Sequence, residues 1–216
     1  MKSLVYDKIR LGVAVLLYLC ATSWADAKVK LPALISDGMV LQREQSVKVW
    51  GTADAGENIT IEFQKKSYHA TADANGQWSI TLPPLKAGGP FLMQINDIKL
   101  NDILVGDVWL CSGQSNMELP VKRVMDMFSN EILNYNNEKI RHILIPQKYN
   151  FHAPQEEISA TSWKTLTQKN VMEFSALAYF FAKEMYEKTG IPVGLINSSW
   201  GGTPVSYTHL TLPTIA

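Results

Sequence analysis

The feature that most constrains the fold is an apolar segment that ends in a glycine-containing turn with a serine in it. Residues 108–111 are typical of a buried strand, and the sequence GQSNM follows at 113–117. Gly113 permits the tight turn that projects a hydroxyl beyond the strand, where several hydrolase folds keep a nucleophile. Ser115 is therefore the candidate nucleophile. The alternative is that Ser115 or Ser112 caps the following helix.

A second apolar run predicts a neighbouring strand with a comparable loop. Residues 193–196 lead into NSSWGGT at 197–203. The glycines Gly201 and Gly202 bring backbone close to a ligand without a side chain, and one amide there would complete an oxyanion hole with the Ser115 amide. The alternative is an ordinary glycine turn. Ser198 and Ser199 are expected to bond backbone groups of this loop.

Residues beyond Gly106 follow the alternation of an α/β domain. We predict strands at 107–111, 140–145 and 193–196, and a helix within 118–136. A second predicted helix has Phe174, Leu177, Phe181 and Met185 on one face and stops at Gly190. This order favours a parallel sheet covered on both faces, with ligands beyond the carboxyl ends of the strands.

Residues 28–104 predict a small antiparallel β-sandwich. Short alternating strands around Val49 and Ile61 are separated by turn sequences at 54–57, 75–76, 83–84 and 88–90. Trp50 and Trp78 are expected in its core, and the alternative is that they stack on sugars. Cys111 is expected to be a small buried hydrophobe rather than a nucleophile.

Composition and the first residues limit the cellular role. The 216-residue chain has a formal net charge of +0 and no basic run, which argues against a nucleic-acid partner. Residues 1–27 resemble a signal peptide, with basic residues before an apolar core at 11–19 and a small-residue cleavage site at 25–27. Because that core is too short to span a bilayer, we expect cleavage and a periplasmic or secreted protein without stable membrane insertion. The alternative is a buried N-terminal helix.

Three segments together resemble one enzyme family. They are WLCSGQSNM at 109–117, FSA at 174–176 before an aromatic helix, and PVGLI at 192–196 running into SWGGTP at 199–204. The chain is similar here to bacterial sialate O-acetylesterases of the SGNH-hydrolase superfamily. The resemblance covers nearly everything from residue 31 to 204.

The resemblance implies an α/β fold, a flavodoxin-like three-layer α/β/α domain at 105–204 behind the β-sandwich at 28–104. It implies that Ser115 is the nucleophile, that Gly202, or less favourably Gly201, supplies the oxyanion hole, and that Gln114 and Asn116 bind substrate. The substrate would be an acetylated carbohydrate, such as O-acetylated sialic acid, and no cofactor or metal would be needed.

The sequence departs from the family pattern after residue 204. The later Gln-Gly-Glu segment and the Asp-x-x-His pair are missing, and His69, His142, His152 and His209 lack the acidic residue three positions earlier. Residues 205–216 resemble a translated sequencing adapter, and we predict that they are a non-native tail; a genuine edge strand is the alternative. On this interpretation the chain is an incomplete esterase domain, poorly stable and weakly active, with an unpaired sheet edge.

Two other functions fit the same residues. One is an acetylxylan esterase within the same superfamily. The other is a non-catalytic glycan-binding module that uses Trp50 or Trp78.

Overall fold

A computed structural model of the chain describes residues 29–148, 152–153, 157–158 and 161–202. The predicted signal peptide at 1–27 and the predicted tail at 205–216, with His209, lie outside these residues.

The described residues form ten strands, three helices and two 3₁₀ turns. The strands are β1 (Val40–Gln42), β2 (Val47–Thr52), β3 (Asn58–Phe63), β4 (Lys66–Thr71), β5 (Gln77–Leu82), β6 (Gly88–Ile95), β7 (Ile98–Cys111), β8 (Asn137–Leu144), β9 (Lys164–Leu166) and β10 (Val193–Asn197). The helices are α1 (Ser115–Glu118), α2 (Met125–Leu133) and α3 (Ala176–Thr189), and the 3₁₀ turns are Val121–Arg123 and Val171–Glu173.

The long strand β7 joins the two halves of the molecule. It lies inside an eight-stranded mixed sheet of order β4-β3-β6-β7-β10-β8-β9, and β1 also pairs with it. Its first part pairs with antiparallel β6, while its last five residues pair with parallel β10 from Val193↔Asp107 to Asn197↔Cys111. The predicted domain boundary between residues 104 and 105 lies within this strand.

A single hydrophobic core fills the N-terminal region. Strands β2 and β5 form a separate antiparallel pair, and their Val49 and Ile80 are buried in the same cluster as Ile61 of β3 and Ile103 of β7. The polar residues that alternate with these apolar ones in β2 and β5 lie on the outer face, because successive side chains of a strand point to opposite faces. Trp78 belongs to this core, as predicted, and Trp50 packs against it. Gly88 and Gly89, predicted as a turn, instead begin β6.

The parallel strands β7, β10 and β8 have helices on one face within the described residues. Val193 and Leu195 point to the cluster that contains Tyr179 of α3, whereas Ile196 and Ile143 belong to the core of the N-terminal region. We predicted helices on both faces of the sheet, but in the described part of the chain they cover only one face. The second face packs against the N-terminal strands instead.

An ion pair between a buried arginine and an exposed aspartate links β8 to the first half of β7. Arg141, 4% exposed, donates to both carboxylate oxygens of Asp102, at 2.6 and 2.9 Å. Its Nε also donates to the Glu138 carbonyl at 2.8 Å. Arg141 also pairs with Gly194 of β10, so this two-point contact links β8 to β7 in addition to the strand that lies between them.

The predicted helix within 118–136 is broken into three short pieces. Helix α1 ends at Glu118, a 3₁₀ turn follows Pro120, and α2 begins at Met125 with a kink at Phe128. Proline cannot donate a backbone hydrogen bond and restricts the residue before it, which explains the end of α1. The prediction that a helix lies within 118–136 is confirmed at Met125–Leu133, although Val121 lies in the 3₁₀ turn before it.

Helix α3 buries a different face from the predicted one. Its buried residues are Ala176, Ala178, Tyr179 and Ala182, whereas Leu177 is 52% exposed and Phe181 38% exposed. Small alanines let the helix approach the sheet closely, and Tyr179 fills the remaining space. The helix stop at Gly190 is confirmed, with φ +66° at the cap.

Several large apolar side chains near the end of β7 remain exposed. Trp109 and Leu110 are 42% and 56% exposed, and Trp109 meets Phe181 edge-on with ring centroids 5.0 Å apart. In the described part of the chain, residues 107–111 pair with a strand on one side only, that of β10. No helix among the described residues is long and apolar enough to cross a membrane.

The buried Leu195 of β10 and the exposed Leu177 of α3 give a stability prediction. Leu195→Ala, at a fully buried position of β10, is expected to lower the free energy of unfolding by about 2–5 kcal/mol through lost burial and a cavity. The matched substitution Leu177→Ala on α3 is expected to cost less than about 1 kcal/mol. Urea unfolding followed by tryptophan fluorescence measures both, and equal losses would contradict the observed orientation of α3.

Candidate active site

The two predicted loops lie side by side beyond the carboxyl ends of their strands. The Ser198 N–H donates to the Cys111 carbonyl at 2.9 Å, and the Trp200 N–H donates to the Gly113 carbonyl at 2.9 Å. These bonds continue the parallel register of β7 and β10 past the strand ends. The prediction that both loops meet at one sheet edge is confirmed.

Ser115 is the first residue of α1 and its side chain is exposed. The residue in the capping position is Gln114, and no side chain caps this helix. The alternative role of Ser115 or Ser112 as a helix cap is therefore not observed. Gly113 adopts φ +145°, which lets the chain turn sharply from β7 into α1.

Helix α1 is held in place by the segment before α3. The Ala176 N–H donates to the Leu119 carbonyl, and the Val121 N–H donates to the Phe174 carbonyl, both at 2.8 Å. The Ser175 hydroxyl accepts from the Ala178 N–H at 3.2 Å and so caps α3. The FSA segment thus positions the residues that follow the candidate nucleophile.

Gly201 and Gly202 are glycines for two different reasons. A Cβ on Gly201 would overlap Oε2 of Glu118 and would lie 3.4 Å from Oγ of Ser115. Gly202 instead needs φ +75°, a left-handed conformation that side chains disfavour, and has open space beside it. Gly201 is therefore the close neighbour of the Ser115 hydroxyl.

A carboxylate that the sequence did not indicate lies between the loops. Oε2 of Glu118 accepts from the Gly201 N–H at 2.8 Å, and Oε1 accepts from Nε2 of Gln147 at 2.6 Å. Nε2 of Gln147 also lies 3.3 Å from the Ser199 carbonyl. Sequence reasoning missed both residues, because Gln147 is in a loop without a pattern and Glu118 was assigned only to a helix.

The remaining serine of the second loop has a structural role. Ser199 is buried, and its hydroxyl and its N–H both bond Oδ1 of Asn197, at 2.6 and 3.0 Å. This side-chain bond shapes the loop that leaves β10. Ser199 was expected to bond backbone groups, and the partner is instead a side chain. Asn116, predicted to bind substrate, is exposed next to Ser115.

His69, His142 and Cys111 contact groups other than Ser115. Nδ1 of His69 lies 3.1 Å from Oγ1 of Thr60 on β3, while His142 is buried and stacks on Phe174 at 4.4 Å. Burial lowers the pKa of His142 to about 4 and raises that of the Cys111 thiol to about 11. Cys111 is a buried hydrophobe, as predicted.

Among the described residues, no group of three or more His, Cys, Asp or Glu side chains is placed to hold a metal ion.

The family comparison matches the half of the chain that holds this site. A model described as carbohydrate esterase, sialic acid-specific acetylesterase matches residues 105–211. The site therefore lies in a segment similar to an acetylesterase family.

Curated relatives and a solved structure extend the similarity. The sialate O-acetylesterase of Homo sapiens is 31% identical over 217 residues, which is 90% of this chain and 41% of that protein. The Rattus norvegicus sialate O-acetylesterase is 31% identical over 82% of the chain and 36% of its own length. A carbohydrate acetylesterase from Xanthomonas citri superposes with TM-score 0.78 at 39% identity, covering 82% of this chain and 42% of that structure. The chain thus spans about two fifths of these relatives.

The buried His142 predicts a pH-dependent stability. Between its unfolded pKa near 6.5 and its folded pKa of about 4, the unfolded state binds more protons. The free energy of unfolding is therefore expected to fall by about 3 kcal/mol in total as pH drops from 6.5 to 4. In His142→Leu this contribution is absent, so the free energy of unfolding should change less with pH between 6.5 and 4.

Urea unfolding at a series of pH values measures this effect. His69→Gln, which removes an exposed histidine, is the control and should keep the wild-type pH dependence. A His142→Leu curve parallel to that of the wild type would contradict the assignment.

Proposed function

We propose that this chain contains the nucleophile and oxyanion-hole portion of a serine esterase that removes O-acetyl groups from sialic acid or related glycans. The observation that carries the proposal is the exposed Ser115 hydroxyl beside Gly201, in a segment similar to sialic acid-specific acetylesterases. The sialate O-acetylesterases named above and the Xanthomonas citri carbohydrate acetylesterase support the substrate class.

The mechanism is acyl transfer through Ser115. Oγ attacks the acetyl carbonyl, the bond to the sugar oxygen breaks, and that oxygen takes up the proton removed from Ser115 and leaves as a free hydroxyl; water then hydrolyses the acetyl-enzyme to acetate and free Ser115. The Ser115 N–H is the first of α1 and has no acceptor within the helix, so it can donate to the oxyanion. Gly202 supplies the second donor, because the Gly201 N–H already donates to Glu118.

A general base must take the proton of Ser115. His69 bonds Thr60 at the far side of the sheet, and His142 is buried against Phe174. The proposal gives neither of them this role.

The finer fold assignment rests on the same similarity. We propose that residues 105–204 form part of an SGNH-type three-layer domain, supported by the parallel strands β7, β10 and β8 and by α3 on one face. Gln114 and Asn116, beside the nucleophile, are proposed to contact the sugar. The glycan-binding alternative has no support from Trp78, whose ring is buried at 4% exposure.

The nucleophile assignment predicts loss of turnover. Ser115→Ala is expected to lower the kcat/KM for p-nitrophenyl acetate at least about 10³-fold, because it removes the oxygen that attacks the acetyl carbonyl. Ser112→Ala, which removes an exposed serine of the same loop, is the matched control and should stay within about threefold of wild type. Turnover that survives Ser115→Ala would contradict the mechanism.

The substrate is then tested with the same variants. Acetate release from O-acetylated sialic acid is compared with release from acetylated xylan. Faster release from sialic acid supports the proposal, whereas preference for xylan favours the acetylxylan esterase alternative.

Export is a separate proposal, supported by the basic residues and apolar core of residues 1–27. Expression in a Gram-negative host is expected to give a periplasmic or secreted protein whose N-terminal residue is Lys28. N-terminal sequencing of the fractionated protein measures this. An intact Met1 in the cytoplasmic fraction would contradict the proposal, and Ala25→Tyr, which blocks cleavage, is the control.

A further inference from the structure

We propose that Glu118 is a positioning residue that holds the Gly201 backbone against the Ser115 hydroxyl. This role rests on the proposed function of Ser115 as nucleophile. It adds a residue to the site that the sequence pattern alone did not indicate.

The hydrogen bonds of the carboxylate carry the inference. One oxygen of Glu118 accepts from the Gly201 N–H at 2.8 Å, and the other accepts from Nε2 of Gln147 at 2.6 Å. Bonds to an ionised acceptor are stronger than neutral ones. The side chain therefore fastens the loop after β10 to the helix that begins with the nucleophile.

The packing of the loop points the same way. A Cβ on Gly201 would overlap Oε2 of Glu118 and would lie 3.4 Å from Oγ of Ser115. Glycine lets the carboxylate, the backbone and the hydroxyl come together at one point. A side chain there would push the carboxylate away from the loop.

We assign Glu118 a holding role because the hydrogen bonds of its carboxylate go to the loop after β10 and to Gln147. Both of its oxygens already accept a hydrogen bond. By occupying the Gly201 N–H it also leaves the following amide, that of Gly202, as the donor for the oxyanion. The carboxylate thus fixes which of the two glycine amides faces the substrate.

The test combines a structural readout with kinetics on the full chain. Hydrogen exchange of the Gly201 amide, measured by NMR, reports the bond to Glu118 whether or not the protein is active. The kcat and KM for p-nitrophenyl acetate report catalysis. The variants are Glu118→Ala, Glu118→Gln, Ser115→Ala and, as a matched control, Glu187→Gln on the exposed surface of α3.

In Glu118→Ala we expect Gly201 amide exchange to be at least about 10-fold faster and kcat about 10²-fold lower, with KM within about threefold. Glu118→Gln keeps a carbonyl acceptor and the side-chain volume, so it should retain most of the protection and lose about 10-fold in kcat. Glu187→Gln and Ser115→Ala should leave the Gly201 exchange rate unchanged.

The two proposals fail in different ways. Turnover that persists in Ser115→Ala overturns the proposed function. A Gly201 amide that exchanges equally in wild type and Glu118→Ala overturns the positioning role, whatever the activity. Faster exchange with an unchanged kcat, in a protein whose turnover depends on Ser115, also overturns it. Thermal melting of Glu118→Gln separates these results from unfolding.

Discussion

The site depends on one continuous strand, β7, which pairs in opposite senses along its length within one mixed sheet. The first part of β7 pairs with antiparallel β6, and its last residues pair with parallel β10. Ser115 follows directly after this strand, so its position is set by the cores on both sides. The ion pair of buried Arg141 with Asp102 links β8 to the same strand. A shift of β7 by one residue would exchange the faces of its side chains and move the candidate nucleophile.

Backbone hydrogen bonds beyond the ends of β7 and β10 align the two loops that form the site. The bonds from Ser198 to Cys111 and from Trp200 to Gly113 extend the pairing of β10 with β7 by several residues. They bring Gly201 next to Ser115, with the Glu118 carboxylate bound to the Gly201 N–H. The same order of elements with a longer loop would lose this alignment, because loop conformations are less constrained than strand pairing.

The sequence predicted those parts of the molecule that depend on local patterns. Alternating residues gave β2, β3 and β5, and apolar runs before glycine loops gave β10 and the end of β7. The face of α3 was wrong because Leu177 and Phe181 have helical spacing, yet the sheet accepts the smaller Ala178 and Ala182. Neither Glu118 nor Gln147 was predicted, since they meet only after residues far apart in the chain come together.

The position of Glu118 raises an electrostatic question about any oxyanion formed at Ser115. A free carboxylate close to a developing negative charge would oppose catalysis. Here both carboxylate oxygens accept N–H groups, from Gly201 and Gln147, and these dipoles offset part of its charge. The acidic group is thus tolerated beside the nucleophile because its hydrogen bonds are made to the loop. Its benefit is the fixed loop, and its electrostatic cost is limited by the same two bonds.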